Sequence, residues 1–300
     1  MNYSQKYYLQ KKAKDQGLTL EEYLMRRGVN TGNTPTVKEP AIISFDKVTK
    51  LSEIDIPEGL LRFNRTGLVI DTLFSYEGGI GCGTNIMATG DPGVGKTTVL
   101  LHTMANLQLK NPDLKCLFVS GEMGRRQMFK YTQRFPIFGN LETIFMSDFT
   151  DYNSKDVLEQ LFEQGYDYIL IDSIAEIFEG IKEDAGLSQK EAEKWLIDLC
   201  VKQNKGENER KVFTSFFLIQ QVTKAGVFVG SNKVKHLADA HMEMKKESER
   251  EGGSTYMMFS KNRDGNSGIK FTYMLGNSEI QYGQLVEERE TVEEGEEEQD

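Results

Sequence analysis

The run MATGDPGVGKTTVLLH, residues 87–102, holds the side chains with the most definite chemistry in the chain. Gly90 and Gly95 stand with four residues between them, and Lys96 and Thr97 follow at once. An apolar strand-like run precedes the glycines and a helical pattern follows them. Glycines at this spacing let successive backbone N–H groups curl around an anion, and the helix start adds its positive end. A lysine and a hydroxyl at the helix start suit the β- and γ-phosphates and a Mg²⁺ ion, respectively. The expected nucleotide-binding set is therefore Gly90, Asp91, Pro92, Gly93, Val94, Gly95, Lys96, Thr97 and Thr98, with ATP and Mg²⁺ as cofactors.

Three further polar residues end apolar runs. YDYILIDS places Asp172 where a second Mg²⁺ contact belongs, alongside Thr97. CLFVSGEM places Glu122 at the same kind of strand end, where a carboxylate can polarise water for attack on a γ-phosphate. FFLIQQ places Gln221 at another, where an amide can orient or sense that phosphate.

Positioning these residues takes a sheet whose strand ends converge. Short apolar runs at TNIMATG, KCLFVSG, ETIFMS, YDYILIDS and TSFFLIQQ read as buried strands. Helical segments at 96–109, 124–135, 154–164 and 188–202 separate most of them. That alternation predicts an α/β fold with a mostly parallel central sheet and helices on both faces. After residue 222 the pattern changes to short strands with hairpin turns, which predicts an antiparallel C-terminal extension of the same sheet. Residues 8–28 read as a helix pair or broken helix, with a Thr19–Glu22 capping box and a Gly28 stop. The expected organisation is a helical prefix and linker over 1–40, a nucleotide-binding domain over 41–284, and a disordered acidic tail over 285–300.

Net charge is −10 over 300 residues, but it is uneven. The last 14 residues carry nine acids and one arginine, a net of −8, so the remainder is near neutral at −2. Overall acidity therefore excludes nothing about nucleic acid; it requires any binding face to be local. Three widely spaced cysteines fit reduced thiols in a cytoplasmic protein and offer no zinc pattern. The charged N-terminus does not read as a secretory signal, and no apolar run approaches the ~20 residues of a membrane helix.

With these motifs assembled, the chain resembles the RecA-type P-loop ATPases, most of all the bacterial RadA (Sms) family, with features of DnaB helicases. Thr66, Gly67, Asp71, Gly78, Gly79, Gly81 and Gly83 supply a RadA-like run ahead of the phosphate loop. FVSGEM is similar to the SGEE of RadA and the SLEM of DnaB. QQVTKAGVFVGSNKVKHLADAHMEM is similar to the RadA segment GHVTKEG…LEHMVD, and KNRDGNSG to KNRFG and the DnaB pattern KxRNGxxG. The resemblance spans about residues 48–282. The four-cysteine module and the Lon-like domain of RadA have no counterpart in these residues. Gln221 stands where RadA has histidine, and Asp264 where it has phenylalanine.

The resemblance implies a homo-oligomer, a hexamer or a filament, with nucleotide at subunit boundaries and Glu122 as the base. Read alone, SKNRDGNSG is a polar hairpin turn; the resemblance makes Lys261 and Arg263 candidate fingers reaching a neighbour's γ-phosphate. It also implies two loops facing single-stranded DNA, about 179–190 and about 224–236, the second cationic with Lys224, Lys233 and Lys235. Glu183 and Asp184 weaken the first, and Phe178 beside it can either stack on a base or pack. The expected function is an ATP-dependent DNA motor, a helicase or a recombination and branch-processing ATPase. A replication or recombination protein is the expected partner of the N-terminal helix. A DnaB-like replicative helicase, a KaiC-like regulatory ATPase without DNA, and a nucleotide-gated scaffold or loader stay open as alternatives.

Overall fold

In the computed structural model, residues 3–14, 16–26, 48–221, 237–247 and 253–286 are described. They belong to two units, Met1–Asp55 and Ile56–Asp300. The first contains helices α1 (Tyr3–Lys14) and α2 (Leu20–Arg26). The capping box at the start of α2 is made: Glu22 N–H donates to Thr19 Oγ1 at 3.3 Å, and Thr19 N–H to Glu22 Oε2 at 2.8 Å. Gly28, the linker to residue 40 and the acidic tail from residue 287 lie outside the described residues.

The second unit runs β1 (Phe63–Asn64), α3 (Asp71–Phe74), β2 (Ile80–Gly81), β3 (Asn85–Gly90) and α4 (Lys96–Lys110). It continues through β4 (Cys116–Ser120), α5 (Arg125–Arg134), β5 (Glu142–Phe145), α6 (Ser154–Glu163) and β6 (Tyr168–Asp172). Then come α7 (Ile174–Ala185), α8 (Gln189–Asn204), β7 (Ser215–Ile219), β8 (Ala240–Lys246), β9 (Thr255–Asn262), β10 (Lys270–Leu275) and β11 (Ile280–Val286). β1 and β2 pair with each other; the other nine strands form one sheet in the order β11-β10-β9-β8-β3-β7-β6-β4-β5. From β8 to β5 every neighbouring pair is parallel, and β9 to β11 add antiparallel strands beside β8. The expected mixed sheet is thus observed.

The central strands are apolar on both faces because helices cover both. Along β4, Cys116 and Phe118 join one core cluster, and Leu117 and Val119 the other. Along β6, Leu170 and Ile171 part in the same way, following the two-residue period of a strand. Val99, Leu100 and Met104 of α4 close the first face; Phe162 of α6, Ile177 of α7 and Leu196 of α8 close the second. Phe118 is fully buried, and truncating such a side chain to alanine costs ~3–5 kcal/mol. Tyr168 ties the small β1–β2 pair to the sheet: its hydroxyl donates to Ile80 O at 3.0 Å and accepts from Asn64 Nδ2 at 2.9 Å.

One expectation fails here. Residues 179–190 are not a loop but the end of α7, a left-handed Gly186 cap, and the start of α8. Ile174, Ile177, Phe178 and Ile181 recur at helical spacing and are all buried, so the segment packs on the sheet. Phe178 belongs to that core and is not available to stack on a base.

Candidate nucleotide site

The parallel strands end together, and that edge of the sheet gathers the polar residues. Ser120 pairs with Asp172, Asp172 with Ile219, and Gly90 with Met244. The loop leaving β3 and the turns leaving β4, β6 and β7 therefore surround one cavity of about 420 Å³. Gly90, Pro92, Gly93, Gly95, Lys96, Thr97, Thr98, Glu122, Asp172 and Gln221 all line it, so the sequence motifs converge. Asp91 and Val94 sit on the outer side of the same loop, beside Lys246. Val94 points into the core, and its carbonyl accepts from the Tyr273 hydroxyl at 2.8 Å, which pins the loop from behind.

Two of the glycines are required by shape. A Cβ on Gly90 would lie 2.0 Å from Met244 O, and one on Gly95 would lie 2.4 Å from Leu275 Cδ1. Both adopt positive φ, +154° and +97°, which strains any side chain; at Gly90 the Met244 backbone excludes one outright, whereas at Gly95 the leucine methyl can shift. Lys96 folds back over the loop, donating to Gly90 O at 2.8 Å and Asp91 O at 3.0 Å. Burial lowers the pKa of its ammonium, although the nearby Asp172, Asp91 and Glu122 act the other way.

At the cavity floor, Thr97 Oγ1 donates to Asp172 Oδ2 at 2.5 Å. Asp172 is 4% exposed, and burial pushes its pKa up to about 6; the Thr97 bond opposes that, and the charge of Glu122 adds to it. A hydroxyl and a carboxylate in contact make a hard-oxygen pair that fits Mg²⁺. Among the described residues no cluster of His, Cys, Asp and Glu could hold a metal alone, so such an ion needs oxygen donors from a phosphate chain as well.

The Glu122 turn is built onto the same carboxylate residue. Gly121 N–H donates to Asp172 O at 2.8 Å, and Ser120 Oγ donates to Met123 O at 2.7 Å. Across the mouth, Gln221 Nε2 donates to Glu122 Oε2 at 3.0 Å. The two residues follow the ends of different strands, β4 and β7, and they meet.

Sequence reasoning missed one wall. Tyr131 and Arg134 of α5 line the cavity with Leu275. Arg134 donates to Gly276 O at 2.5 Å and Asn277 O at 3.1 Å, tying α5 to the turn after β10. Their i, i+3 spacing, one helix downstream of Glu122, was the available signal.

Lys261 and Arg263 are not in this cavity. Register pairs Ala240 with both Ile86 and Asn262, whereas Met244 pairs with Gly90. The two cations thus sit at the opposite edge of the sheet, roughly 13 Å away along β8 at ~3.3 Å per residue. Lys261 Nζ donates to Ala238 O at 2.5 Å, and Arg263 Nη1 to Asp239 Oδ1 at 2.8 Å. Asp264 anchors the turn: its carbonyl accepts from Tyr76 N–H at 2.9 Å, and Thr84 Oγ1 lies 3.5 Å from its carboxylate. A phenylalanine there would lose the Thr84 contact. Lys224, Lys233 and Lys235 lie outside the described residues.

No family model matches the chain. Among curated proteins, DNA repair protein RadA of Listeria monocytogenes is 28% identical over 81% of this chain and 47% of its own length. RadA of Pseudomonas aeruginosa is 27% identical over 72% of this chain and 44% of its own length. Among solved structures, a KaiC-like protein from Pyrococcus horikoshii superposes with a TM-score of 0.56 over 74% of this chain and 99% of its own, at 18% identity. This chain has a RecA-like fold and is similar in sequence to RadA. The flagellar accessory protein FlaH of Methanocaldococcus jannaschii shares the fold, with a TM-score of 0.55 at 12% identity. The RecA-like chain spans less than half the length of the RadA relatives named here. No helix among its described residues is long and apolar enough to cross a membrane.

Proposed function

We propose that the chain binds ATP and Mg²⁺ in the cavity at the sheet's carboxyl edge, hydrolyses the nucleotide at boundaries between copies, and uses it to act on single-stranded DNA. The observation that carries the nucleotide reading is the convergence of Lys96, the Thr97–Asp172 pair and the Glu122–Gln221 pair around one glycine-shaped loop. The similarity to proteins named as DNA repair RadA supports the DNA part.

Each residue has work that follows from its setting. Lys96, partly desolvated, gains from exchanging the Gly90 and Asp91 carbonyls for anionic oxygens. Thr97 and Asp172 would hold Mg²⁺, and the divalent charge would favour the ionised form of Asp172 that burial disfavours. Bound ATP·Mg²⁺ supplies the phosphoryl group and the charge that must be neutralised during its transfer. Gln221 fixes one oxygen of Glu122, leaving the other to accept a proton from the attacking water. Tyr131, Arg134 and Leu275 provide an aromatic, cationic and apolar wall suited to a flat heteroaromatic base.

Among the described residues, Lys96 and Arg134 are the cations that line the cavity. In this reading Lys261 and Arg263 add positive charge on the γ-phosphate from the neighbouring subunit, and Lys224, Lys233 and Lys235 contact the DNA backbone. The test is binding of a fluorescent ATP analogue with Mg²⁺, alongside ATP turnover, for the wild type and Lys96→Ala. Saturable Mg²⁺-dependent binding, with turnover lost in the variant, is expected. Turnover unchanged in Lys96→Ala would place the chemistry elsewhere.

A further inference from the structure

The finger pair is not loose in its own subunit. Lys261 and Arg263 are held by two consecutive residues, Ala238 through its carbonyl and Asp239 through its carboxylate. Asp239 has a second bond: its Oδ2 accepts the backbone N–H of Asn85 at 3.0 Å. Asn85 opens β3, the strand whose other end is Gly90 of the phosphate loop. One carboxylate therefore fixes the Arg263 guanidinium to the strand that carries the nucleotide loop at its far end.

We propose that Asp239 is a positioning residue for Arg263, holding one edge of the guanidinium so that its remaining N–H groups face a neighbouring subunit's phosphate. The inference rests on the reading of Arg263 as a trans finger. Arg263 is mostly exposed, its side chain at 63%, while Asp239 is at 24%. A pair so open to water adds little to stability, so orientation is what it supplies. Arginine has five N–H donors in a rigid fork, and one bond to Asp239 leaves the others to grip an anion. Asp264 follows Arg263 directly; burial raises its pKa, the charge of Asp239 adds to this, and that of Arg263 opposes it, so the arginine lies close to two carboxyl groups.

The experiment compares Asp239→Asn, Asp239→Ala and Arg263→Ala in the full chain, alone and mixed with Lys96→Ala subunits. The asparagine can still accept the Asn85 N–H through its oxygen, so it removes the charge facing Arg263 while sparing the bond to β3. Both Asp239 variants should lose turnover by about 10- to 100-fold with KM for ATP held within about twofold, as a misplaced group does. Mixing with Lys96→Ala subunits should restore turnover above the sum of the separate proteins, because an intact finger from the Lys96→Ala neighbour then serves the variant's own intact site. A merely structural defect in the Asp239 variant would not be repaired by a neighbour. Wild-type turnover in Asp239→Asn, with Arg263→Ala slow and rescued by mixing, overturns the inference alone. Slow Asp239 variants that mixing does not rescue overturn it too. Wild-type turnover in Arg263→Ala, or a defect that mixing leaves in place, overturns the trans-finger reading and the inference with it.

Discussion

Replacing Asp172 with asparagine should stabilise the nucleotide-free protein as it destroys its activity. Asp172 is buried, accepts from Thr97, and has a pKa near 6 against an ordinary 3.8. Below pH ~3.8 the carboxyl is protonated whether the chain is folded or not, and it has no effect on the balance. Between that value and about 6 the unfolded chain ionises first, so stability falls as pH rises. Above about 6 both states are ionised and the penalty is constant. The difference of about 2.2 in pKa, 6 minus 3.8, at 1.36 kcal/mol each, gives a penalty of ~3 kcal/mol. The amide cannot ionise, so the stability of Asp172→Asn relative to wild type should climb by ~3 kcal/mol from pH 3.5 to pH 8. Any fixed cost of the substitution cancels in that comparison. The assay is urea unfolding across this pH range, followed by fluorescence of the single tryptophan, Trp195, which α8 carries partly buried against the core. Mg²⁺ with a non-hydrolysable ATP analogue should stabilise the wild type far more than the variant. A stability difference that does not change with pH would refute the claim that a costly buried carboxylate is kept for a cation.

Glu122→Gln should leave KM for ATP within a few-fold and lower kcat by ~10²–10⁴, the range for a lost general base; an unchanged kcat in steady-state turnover would remove Glu122 from that role. Tyr131→Ala should raise KM for ATP with little change in kcat, because it removes a wall that binds ground and transition states alike; equal KM values would leave the base elsewhere. Deleting residues 287–300 removes a net charge of −8 and should tighten single-stranded DNA binding several-fold at low salt, the gap closing as salt rises. Fluorescence anisotropy with a labelled oligonucleotide measures it, and unchanged affinity would leave the tail as a solubilising segment.

Much of this site was legible because its residues end apolar runs. Asp172 closes a strand, Glu122 and Gln221 follow two residues after one, and parallel register brings such ends to one edge. The phosphate loop declared itself through its glycines, where Gly90 leaves no room for a side chain against the Met244 backbone and Gly95 has a positive φ. Other features carried no periodic signal. β1 and β2 have two residues each and α3 has four, too short for any pattern to repeat. The stretch 179–190 differs in kind: its apolar spacing is helical, and the DNA loop implied by the resemblance does not form there. The Asp239–Arg263 pair joins residues 24 apart across a strand pair, and nothing local announces it.

The measurement that bears most directly on the central claim is ATP turnover by the full chain as single-stranded DNA is titrated in at low salt, beside Lys96→Ala. Turnover that rises with DNA, saturates, weakens as salt is raised and vanishes in the variant is the predicted result. Mg²⁺-dependent turnover indifferent to DNA, with no DNA binding at low salt, would contradict it and leave an ATPase that works on something else.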